Sequence, residues 1–487
     1  MRKPYSRQRR FDCSSVAEVS LNLNCRDEIV PILAALQGIY TDHDLRRKVV
    51  SLVAGDLNPG TRRDVGRTGF DDWQVVVLAA VRLGCNLDYD KLQDLAENHR
   101  ALRGVLGIGD WDARTSFNWR RIHKTLCALR PETLQKINHA IVEFGQRLHG
   151  EASREVRADS FVIETDIHYP TESSLIWDGM RKIVPLCVEL AGELSVGGWR
   201  QHQHLQKRIK QSVRLISQIG ASKSPRVKAR LPAAYEELLE RTHEILERAK
   251  TLLIVGETEG CTVKGLLLDQ QLRHWIPLVE QVCDTAHRRV VLKEQVPNAD
   301  KLFSLFETHT QLYRRGKAGE PNQFGRMALV FEDAAGFISH YHLMDREAQD
   351  ADVIVEQTRQ VQKLHRGKIV RASFDRGFHT AENVQKLTEI VSQPCLPPKN
   401  PQQFTEQMAN ASVEFRRSRQ RHPGIESAIG ALQSGNGLKR CRDRSELGLE
   451  RYLGLAVLGR NLHVLGKLLI ARRNSAAAAA TTKRKAA

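Results

Sequence analysis

Short apolar runs alternate with helical patterns in the last third of the chain, and this alternation limits the folds that are open to it. The run Lys368–Phe374 leads into Asp375-Arg376-Gly377, which predicts a buried strand that ends on a carboxylate in a tight turn. A helical pattern over Ala381–Val391 and a short strand at Gln393–Leu396 follow. Because helical connections permit parallel pairing of the strands they join, this stretch predicts a β-α-β unit.

A second carboxylate lies at the start of a later helix. A Pro-Gly pair ends the preceding loop, and Ile425, Ile429 and Leu432 form an apolar stripe at helical spacing. Glu426 falls in the first turn of this predicted helix. A carboxylate at a strand end and another at a helix start can face one site, and carboxylate oxygens are suitable ligands for a divalent metal.

Earlier in the chain, three more strands are predicted. Glu155–Glu164 is the first convincing strand, and it contains Asp159. Arg326–Glu332 and Phe337–Met344 flank a four-residue turn that ends in glycine, which predicts a hairpin. An amphipathic helix is predicted over Asp352–His365 and leads back to the strand that precedes Asp375.

The order of these elements is strand, hairpin, helix, strand, helix, strand, helix. It is the element order of a ribonuclease-H-like α/β core, a mixed sheet flanked by helices. In such a core the first strand lies at the centre of the sheet, beside the strand that ends at Asp375. The expected organisation is an all-α N-terminal region (1–150), the first core strand (151–173), a large, basic helical insertion (174–300), the rest of the core (301–470) and a disordered tail (471–487).

The charge of the chain favours a polyanionic partner. Its 487 residues are enough for about two to four domains, and the net charge of +17 is typical of nucleic-acid-binding proteins, although generic basicity is the alternative. Nine cysteines without a Cys-x-x-Cys pair argue against a zinc module and a disulfide framework. No apolar run reaches the roughly 18 residues of a membrane span, so a cytoplasmic protein without a membrane partner is expected.

Two helical regions contain candidate DNA contacts. A helix predicted over Ser116–Leu129 carries Arg120, Arg121 and Lys124, and Ser116 or the residue before it is the expected N-cap. The alternative is a packing helix with solvated arginines.

The interval 200–230 of the insertion holds nine Lys and Arg residues and no acid, which predicts a positively charged helical arm. Lys207, Arg208 and Lys210 are the candidate phosphate contacts in this interval. A solvated coiled-coil surface is the alternative interpretation of the same pattern.

Three carboxylates at one place repel each other unless a cation neutralises them. Oxygen ligands with open water positions suit Mg²⁺ or Mn²⁺. A pair of such ions about 4 Å apart supports in-line attack of a water or a 3′-hydroxyl on phosphorus.

The sequence blocks around these acids resemble those of bacterial insertion-sequence transposases of the DDE type, in particular the ISNCY-like group. The resemblance runs from about residue 68 to residue 470. Its blocks, in the correct order, are Asp159–Ser173, Phe303–Thr310, Arg315–Lys317, Phe324–Arg326, Asp375–Phe378, Arg421–Gly430 and Gly459–Leu462.

This resemblance implies that Asp159, Asp375 and Glu426 are the catalytic residues and the ligands of two Mg²⁺ or Mn²⁺ ions. Asp166 is the rival for the first position, but residues 159 and 166 point to opposite faces of one strand, and Asp159 lies nearer its middle. Many relatives carry a lysine where this chain has Gln433, and Lys439 or Arg440 is the candidate substitute.

Arg314, Arg315 and Lys317 are further candidate phosphate contacts, with surface solubility as the alternative. The expected function is a DNA transposase that acts on the terminal inverted repeats of an element and on target DNA, as a homodimer or larger assembly on DNA, associated with the bacterial nucleoid. A stand-alone metal-dependent nuclease and a domesticated, non-catalytic DNA-binding protein are the alternatives.

Overall fold

The computed structural model describes residues 12–57, 69–109, 111, 116–149, 154–259, 262–314 and 321–486. The chain divides into two compact units. Unit 1 comprises Met1–Glu164 and Arg326–Ala487, and unit 2 comprises Thr165–Gly325. The prediction of a separate N-terminal domain is therefore wrong, because the N-terminal helices belong to the same unit as the strands and helices that follow the insertion.

The strands form one seven-stranded sheet in the order β2-β3-β1-β5-β6, in which β4 also pairs with β3 and β7 with β1. The predicted neighbourhood of the first strand is confirmed, since β1 and β5 are parallel partners from Glu155↔Arg371 to Ala158↔Phe374. β2, with four residues, and β7, with two, were not predicted from the sequence. The strands are β1 (Glu155–Thr165), β2 (Gln311–Arg314), β3 (Asn322–Asp333), β4 (Ile338–Leu343), β5 (Arg371–Phe374), β6 (Gln393–Cys395) and β7 (Arg440–Cys441).

The helices are α1 (Ile29–Thr41), α2 (His43–Leu57), α3 (Asp72–Gly84), α4 (Tyr89–Asn98), α5 (Arg100–Val105), α6 (Trp119–Leu126), α7 (Pro131–His149), α8 (Glu172–Glu193), α9 (His202–Ala221), α10 (Pro225–Lys228), α11 (Leu231–Glu259), α12 (Val263–Ala286), α13 (Asp350–Leu364), α14 (Ala381–Ile390), α15 (Pro401–Ala409), α16 (Val413–Arg421), α17 (Gly424–Ser434) and α18 (Glu446–Ala486). Helices α13 and α14 agree with the sequence predictions to within two residues at each end, whereas α6 is three residues shorter than predicted at each end. Short 3₁₀ turns lie at Val16–Glu18, Asn298–Asp300 and Arg376–Phe378, and a π-helical turn follows α12 at His287–Val291.

The hairpin of β3 and β4 forms where the sequence predicts it. Gly336 adopts a φ of +88°, a conformation that favours glycine. Asp333 Oδ1 accepts hydrogen bonds from the backbone N–H groups of Ala335 and Phe337, at 2.9 and 3.0 Å. The turn is thus fixed by its own aspartate and glycine.

One helix, α18, holds the core of unit 1 together. Its apolar residues are buried among those of α1, α3 and α7 and against β4. Within the described ranges, Glu446–Ala476 is the one helical segment that is long and apolar enough to cross a membrane, and 61% of its most apolar window is buried inside the protein. Such burial is what the core helix of a soluble protein shows.

Glycines allow α18 to approach its neighbours closely. A Cβ at Gly459 would lie 2.5 Å from the Cα of Gly84 in α3, so the two backbones touch there. Nearby, Arg82 donates to Asp443 at 3.1 and 2.5 Å, and both side chains are buried. A buried pair of this kind joins α3 to the loop that precedes α18.

The end of α18 differs from the prediction for the tail. The helix continues to Ala486 through the alanine-rich residues, which were expected to be disordered. Alanine has the highest helix propensity of all residues, and a helix that is already formed extends at little cost.

Unit 2 has its own hydrophobic core. The core residues come from α8, α9, α11 and α12, for example Ile183, Ile216, Leu246 and Leu272. The predicted arm of paired long helices is therefore wrong in shape: the helices of the insertion form a compact bundle. The sequence shows the apolar spacing of each helix but does not show which helices share a core.

The close contact of α18 with α3 generates a prediction about stability. We expect Gly459→Ala to lower the free energy of unfolding by about 1–3 kcal/mol, because the added methyl group meets backbone atoms that do not yield easily. The matched control is Gly55→Ala in α2, where no atom lies within 4 Å of the new Cβ. That substitution is expected to raise stability by up to about 1 kcal/mol. Thermal and denaturant unfolding of both variants checks this, and equal effects would contradict it.

Candidate active site and DNA-contact surfaces

Asp159 and Asp375 lie side by side near the centre of the sheet. The parallel pairing of β1 and β5 ends at Ala158↔Phe374, and the next residue on each chain is one of these aspartates. Partners in a parallel pair point to the same side of the sheet, and neighbouring strands are about 4.8 Å apart. The structure thus brings together two of the three acids that the sequence selects, although they are 216 positions apart.

Arg419 of α16 helps to hold Asp375 in place. Its Nη1 donates to the carbonyl oxygen of Phe374 at 3.3 Å, and its Nη2 lies 3.9 Å from Asp375 Oδ1. The Asp375 side chain is 52% exposed and so remains open to solvent and to ligands. On the β1 side, Asp159 Oδ1 accepts a hydrogen bond from the backbone N–H of Ser160 at 2.7 Å.

Arg157 connects β1 to the segment that precedes α17. Its Nε donates to Glu332 Oε2 of β3 at 2.6 Å, and its Nη1 donates to the carbonyl oxygen of Arg421 at 2.8 Å. Burial raises the pKa of Glu332, and the Arg157 guanidinium opposes that rise. Because Arg157 and Asp159 are two residues apart on one strand, they point to the same face, which is the face that the 421–424 segment covers.

His422 makes the corresponding contact on the β5 side. Its Nδ1 lies 3.1 Å from Ser373 Oγ. Burial, supported by the nearby Arg419, lowers the pKa of His422 to about 4, so its ring is neutral at pH 7. A neutral, buried ring between β5 and the start of α17 packs the helix against the sheet.

Glu426 lies in the first turn of α17, where the sequence predicts it, and its side chain is exposed. The start of α17 is held against the face of β1 and β5 that carries Asp159 and Asp375. Nevertheless, no set of three or more His, Cys, Asp or Glu side chains in the described ranges is arranged to hold a metal ion. The structure therefore places Glu426 on the adjoining helix without joining it to the aspartate pair in one ligand group.

The aspartate pair by itself fits Mg²⁺ or Mn²⁺. Magnesium in proteins is commonly bound through one or two carboxylates, while waters and substrate phosphates complete its shell. Asp159 and Asp375 supply such a donor set. Sulfur and imidazole ligands, which favour zinc, do not belong to this pair.

Asp166 follows the end of β1 and is exposed. The strand continues six residues beyond Asp159 to Thr165, a rise of about 20 Å. Asp159 directly follows the segment of β1 that pairs with β5, as Asp375 directly follows the paired segment of β5. The choice of Asp159 over Asp166 as a metal ligand stays a prediction.

Helix α6 presents a basic, exposed face. Arg120, Arg121 and Lys124 are exposed, while Ile122 and Leu126 are buried. The helix begins at Trp119, and the side chain of Asn118 accepts hydrogen bonds from the N–H groups of Arg120 and Arg121 at 2.9 and 3.3 Å. Asn118 is thus the N-cap, and the prediction of Ser116 or its neighbour was two to three residues too early.

The same face of α6 carries aromatic contacts. The Arg120 guanidinium lies 5.0 Å from the centroid of the Trp119 ring, and the Arg121 guanidinium lies 5.2 Å from that of Phe70. The backbone N–H of Trp119 donates to Gln93 Oε1 of α4 at 2.8 Å, which fixes the start of the helix.

Helix α9 and the short helix α10 in unit 2 carry six of the nine basic residues of the interval 200–230, and the other three, Arg200, Lys223 and Arg230, flank these helices. All nine are exposed, Lys207, Arg208 and Lys210 among them. None of the nine forms an ion pair within the ranges that the structure describes. By contrast, Lys250, Lys264 and Arg273 on α11 and α12 each pair with a glutamate or aspartate. The unpaired cations are therefore concentrated on one segment of unit 2.

The remaining predicted contacts are less informative. Arg315 and Lys317 lie outside the described residues. Gln433 is half-buried near the end of α17, and Lys439 is exposed. Arg440 lies 3.9 Å from Glu164 Oε2, so it already has an acidic neighbour.

Sequence reasoning missed the residues that support the aspartates. Arg157, Glu332 and Arg419 make their contacts across strands and helices that are far apart in the chain. One signal was present: α16 contains four arginines within six residues, immediately before the block that carries Glu426. A cluster of that kind next to predicted acids indicates residues that stabilise carboxylates or bind phosphates.

Comparison with protein-family models, with curated proteins and with solved structures gave no match to this chain. The function must therefore be argued from the geometry of these sites.

The aspartate pair generates a prediction about metal binding. We expect millimolar Mn²⁺ or Mg²⁺ to raise the unfolding temperature of the wild type, because a ligand that binds the native state stabilises it, by about 2.7 kcal/mol at 100 times its Kd. Asp375→Asn should remove most of this rise, whereas Asp345→Asn, which changes an exposed aspartate of the same unit, should keep it. Differential scanning fluorimetry measures all three proteins, and an unchanged rise in Asp375→Asn would exclude a metal at this pair.

Proposed function

We propose that this chain is a DNA transposase of the DDE type, which binds the ends of an insertion element and catalyses metal-dependent strand cleavage and strand transfer. One observation carries the proposal. Asp159 and Asp375 are selected by the resemblance of two separate sequence blocks. Each of them directly follows the last residue pair of the parallel ladder between β1 and β5.

The sheet order supports a ribonuclease-H-like core. The hairpin of β3 and β4 lies on one side of β1. On the other side lie β5 and β6, which are parallel to each other. The first strand is central, and the acids follow it and its parallel neighbour. This arrangement is the one expected from the element order of such a core, with the helices of unit 2 inserted after the first strand.

Each residue of the site has a separate role in the proposed reaction. When bound, a pair of divalent ions would activate the attacking oxygen and stabilise the negative charge that develops on the leaving oxygen. Asp159 and Asp375 bind and orient that centre, and Arg419 positions Asp375 through the Phe374 carbonyl. Arg157 and His422 hold the start of α17 against the sheet, which keeps Glu426 on the side where the aspartates lie.

The basic surfaces are assigned to DNA. The exposed cations of α6 would contact the element ends, and those of α9 and α10 would contact phosphates along the duplex. The partners are the terminal inverted repeats and the target DNA, with a homodimer or larger assembly on the DNA in the cytoplasm. The buried position of α18 supports a protein that needs no membrane.

A strand-transfer assay tests the proposed reaction. The protein is incubated with labelled DNA that carries the element ends, a target plasmid and Mg²⁺. The wild type should join end DNA to the plasmid, and Asp375→Asn should reduce joining at least about a thousandfold, because removing a group that stabilises the transition state costs several kcal/mol. Asp345→Asn is the control with the same change of charge and should retain activity.

Cleavage without joined products in this assay would favour the stand-alone nuclease. Neither cleavage nor joining in the wild type, with specific binding retained, would contradict the catalytic proposal.

A non-catalytic DNA-binding protein is the second candidate. The observation that favours it is that Glu426 does not join the aspartates in a ligand group in the described parts of the chain. If Asp375→Ala left every activity of the protein in cells unchanged, this candidate would replace the transposase.

The unpaired cations of α9 generate a prediction about salt dependence. Each phosphate contact contributes about 0.9 to the slope of log K against log salt. Replacing Lys207, Arg208 and Lys210 with glutamine should therefore reduce the slope for duplex DNA by up to about 3. The control replaces Lys250, Lys264 and Arg273 with glutamine, which removes the same formal charge from cations that are already paired. Fluorescence anisotropy at several salt concentrations measures both, and equal slopes would remove α9 from the interface.

A further inference from the structure

A small cavity in unit 2 lies apart from the basic face of α9. Its volume is about 130 Å³, and it is lined by the segment before α8, the end of α12, residues 301–303 and the paired strands β2 and β3. The strand register explains part of the lining. Leu312 pairs with Phe324 and Arg314 with Asn322, so these four side chains point to the same face.

The charge in this cavity is unbalanced. Three cations, Arg289, Lys301 and Arg314, line it together with one carboxylate, Glu172. The carboxylate is already used, because Arg289 Nη2 lies 2.6 Å from Glu172 Oε2. Lys301 and Arg314 form no ion pair with any described residue. Burial and the nearby Arg289 lower the pKa of Lys301, and the attraction of Glu172 only partly opposes this shift.

Aromatic rings form the other wall. Phe303 and Phe324 lie with their centroids 5.6 Å apart, and Tyr169 meets the Phe324 ring edge-on at 5.5 Å. The Tyr169 side chain is 68% exposed, so its ring is an uncovered apolar surface beside the cations. Exposed aromatic rings next to a positive surface are the elements from which proteins build stacking sites for single bases.

The size of the cavity limits the ligand. A cavity of about 150 Å³ accommodates one six-membered aromatic ring. The space therefore suits a single planar ring system with an attached anion, and it does not suit a duplex. Asn322 adds an amide that can donate to and accept from the edge of a base.

We propose that this cavity binds one nucleotide, with its base against Tyr169 and its phosphate between Lys301 and Arg314. The nucleotide has two sources: a free nucleoside phosphate or an unpaired nucleotide of a DNA strand. The second source rests on the proposed function, because it requires that the chain acts on DNA, whereas the first does not.

The test separates the base from the phosphate. Calorimetry measures binding of 2′-deoxycytidine 5′-monophosphate, whose base is a single six-membered ring, and of 2-deoxyribose 5-phosphate, which lacks the base, to the full-length protein without divalent ions. Tyr169→Leu should weaken the nucleotide about tenfold and leave the base-free ligand unchanged. Lys301→Gln should weaken both ligands about tenfold. Lys363→Gln, which changes an exposed lysine of α13 outside the cavity and outside the basic interval 200–230, is the control and should change neither.

A second measurement identifies the source. Anisotropy compares a duplex that has one bulged cytosine with the fully paired duplex, again without divalent ions, so that no cleavage occurs. A preference for the bulged duplex that Tyr169→Leu removes supports the DNA source; nucleotide binding without that preference supports the free ligand. If strand transfer fails while nucleotide binding holds, the transposase proposal is lost and the cavity remains a nucleotide site. If Tyr169→Leu and Lys301→Gln bind every ligand as Lys363→Gln does, the inference is wrong.

Discussion

The parallel ladder between β1 and β5 is the constraint on which the candidate active site depends. Four residue pairs, from Glu155↔Arg371 to Ala158↔Phe374, fix the register of the two strands and thereby determine that Asp159 and Asp375 directly follow the last pair. A slip of one residue would turn the side chain of Asp159 to the other face and separate it from Asp375. Two contacts with the segment before α17 stabilise this register: Arg157 of β1 donates to the carbonyl oxygen of Arg421, and Ser373 of β5 contacts His422. Each contact forms only when its strand is in the observed register.

The distribution of charge in unit 2 separates structural cations from those available to a ligand. Arginines and lysines on α11 and α12 lie beside acids and contribute to the surface of the bundle, where exposed pairs add little stability. The cations of α9 and α10 form no ion pair in the described ranges, and neither do Lys301 and Arg314 in the cavity, where Glu172 attracts Lys301. A bound polyanion would compensate the charge that folding leaves on this second group. Under the two proposals, unit 2 serves two ligands that differ in shape.

The sequence predicted the elements better than their assembly. Hydrophobic periodicity located β1, β5 and most helices, because an amphipathic pattern depends only on local spacing. It also placed Asp375 at a strand end and Glu426 in a first helical turn. It did not predict that α1–α7 share a core with α18, because the glycine contacts that join them, such as Gly84 with Gly459, appear only when two distant helices meet. The supporting residues Arg157, Glu332 and Arg419 were missed for the same reason.

The contact of α18 with the N-terminal helices has a consequence for how this protein can diverge. Recognition modules that are joined by linkers can be exchanged between proteins as separate cassettes. Here the last long helix completes the core of the first seven, so an imported N-terminal segment would meet a C-terminal helix shaped for another partner. Under the proposed function, changes of DNA specificity are therefore expected as point substitutions on exposed faces such as that of α6, rather than through recombination of whole domains.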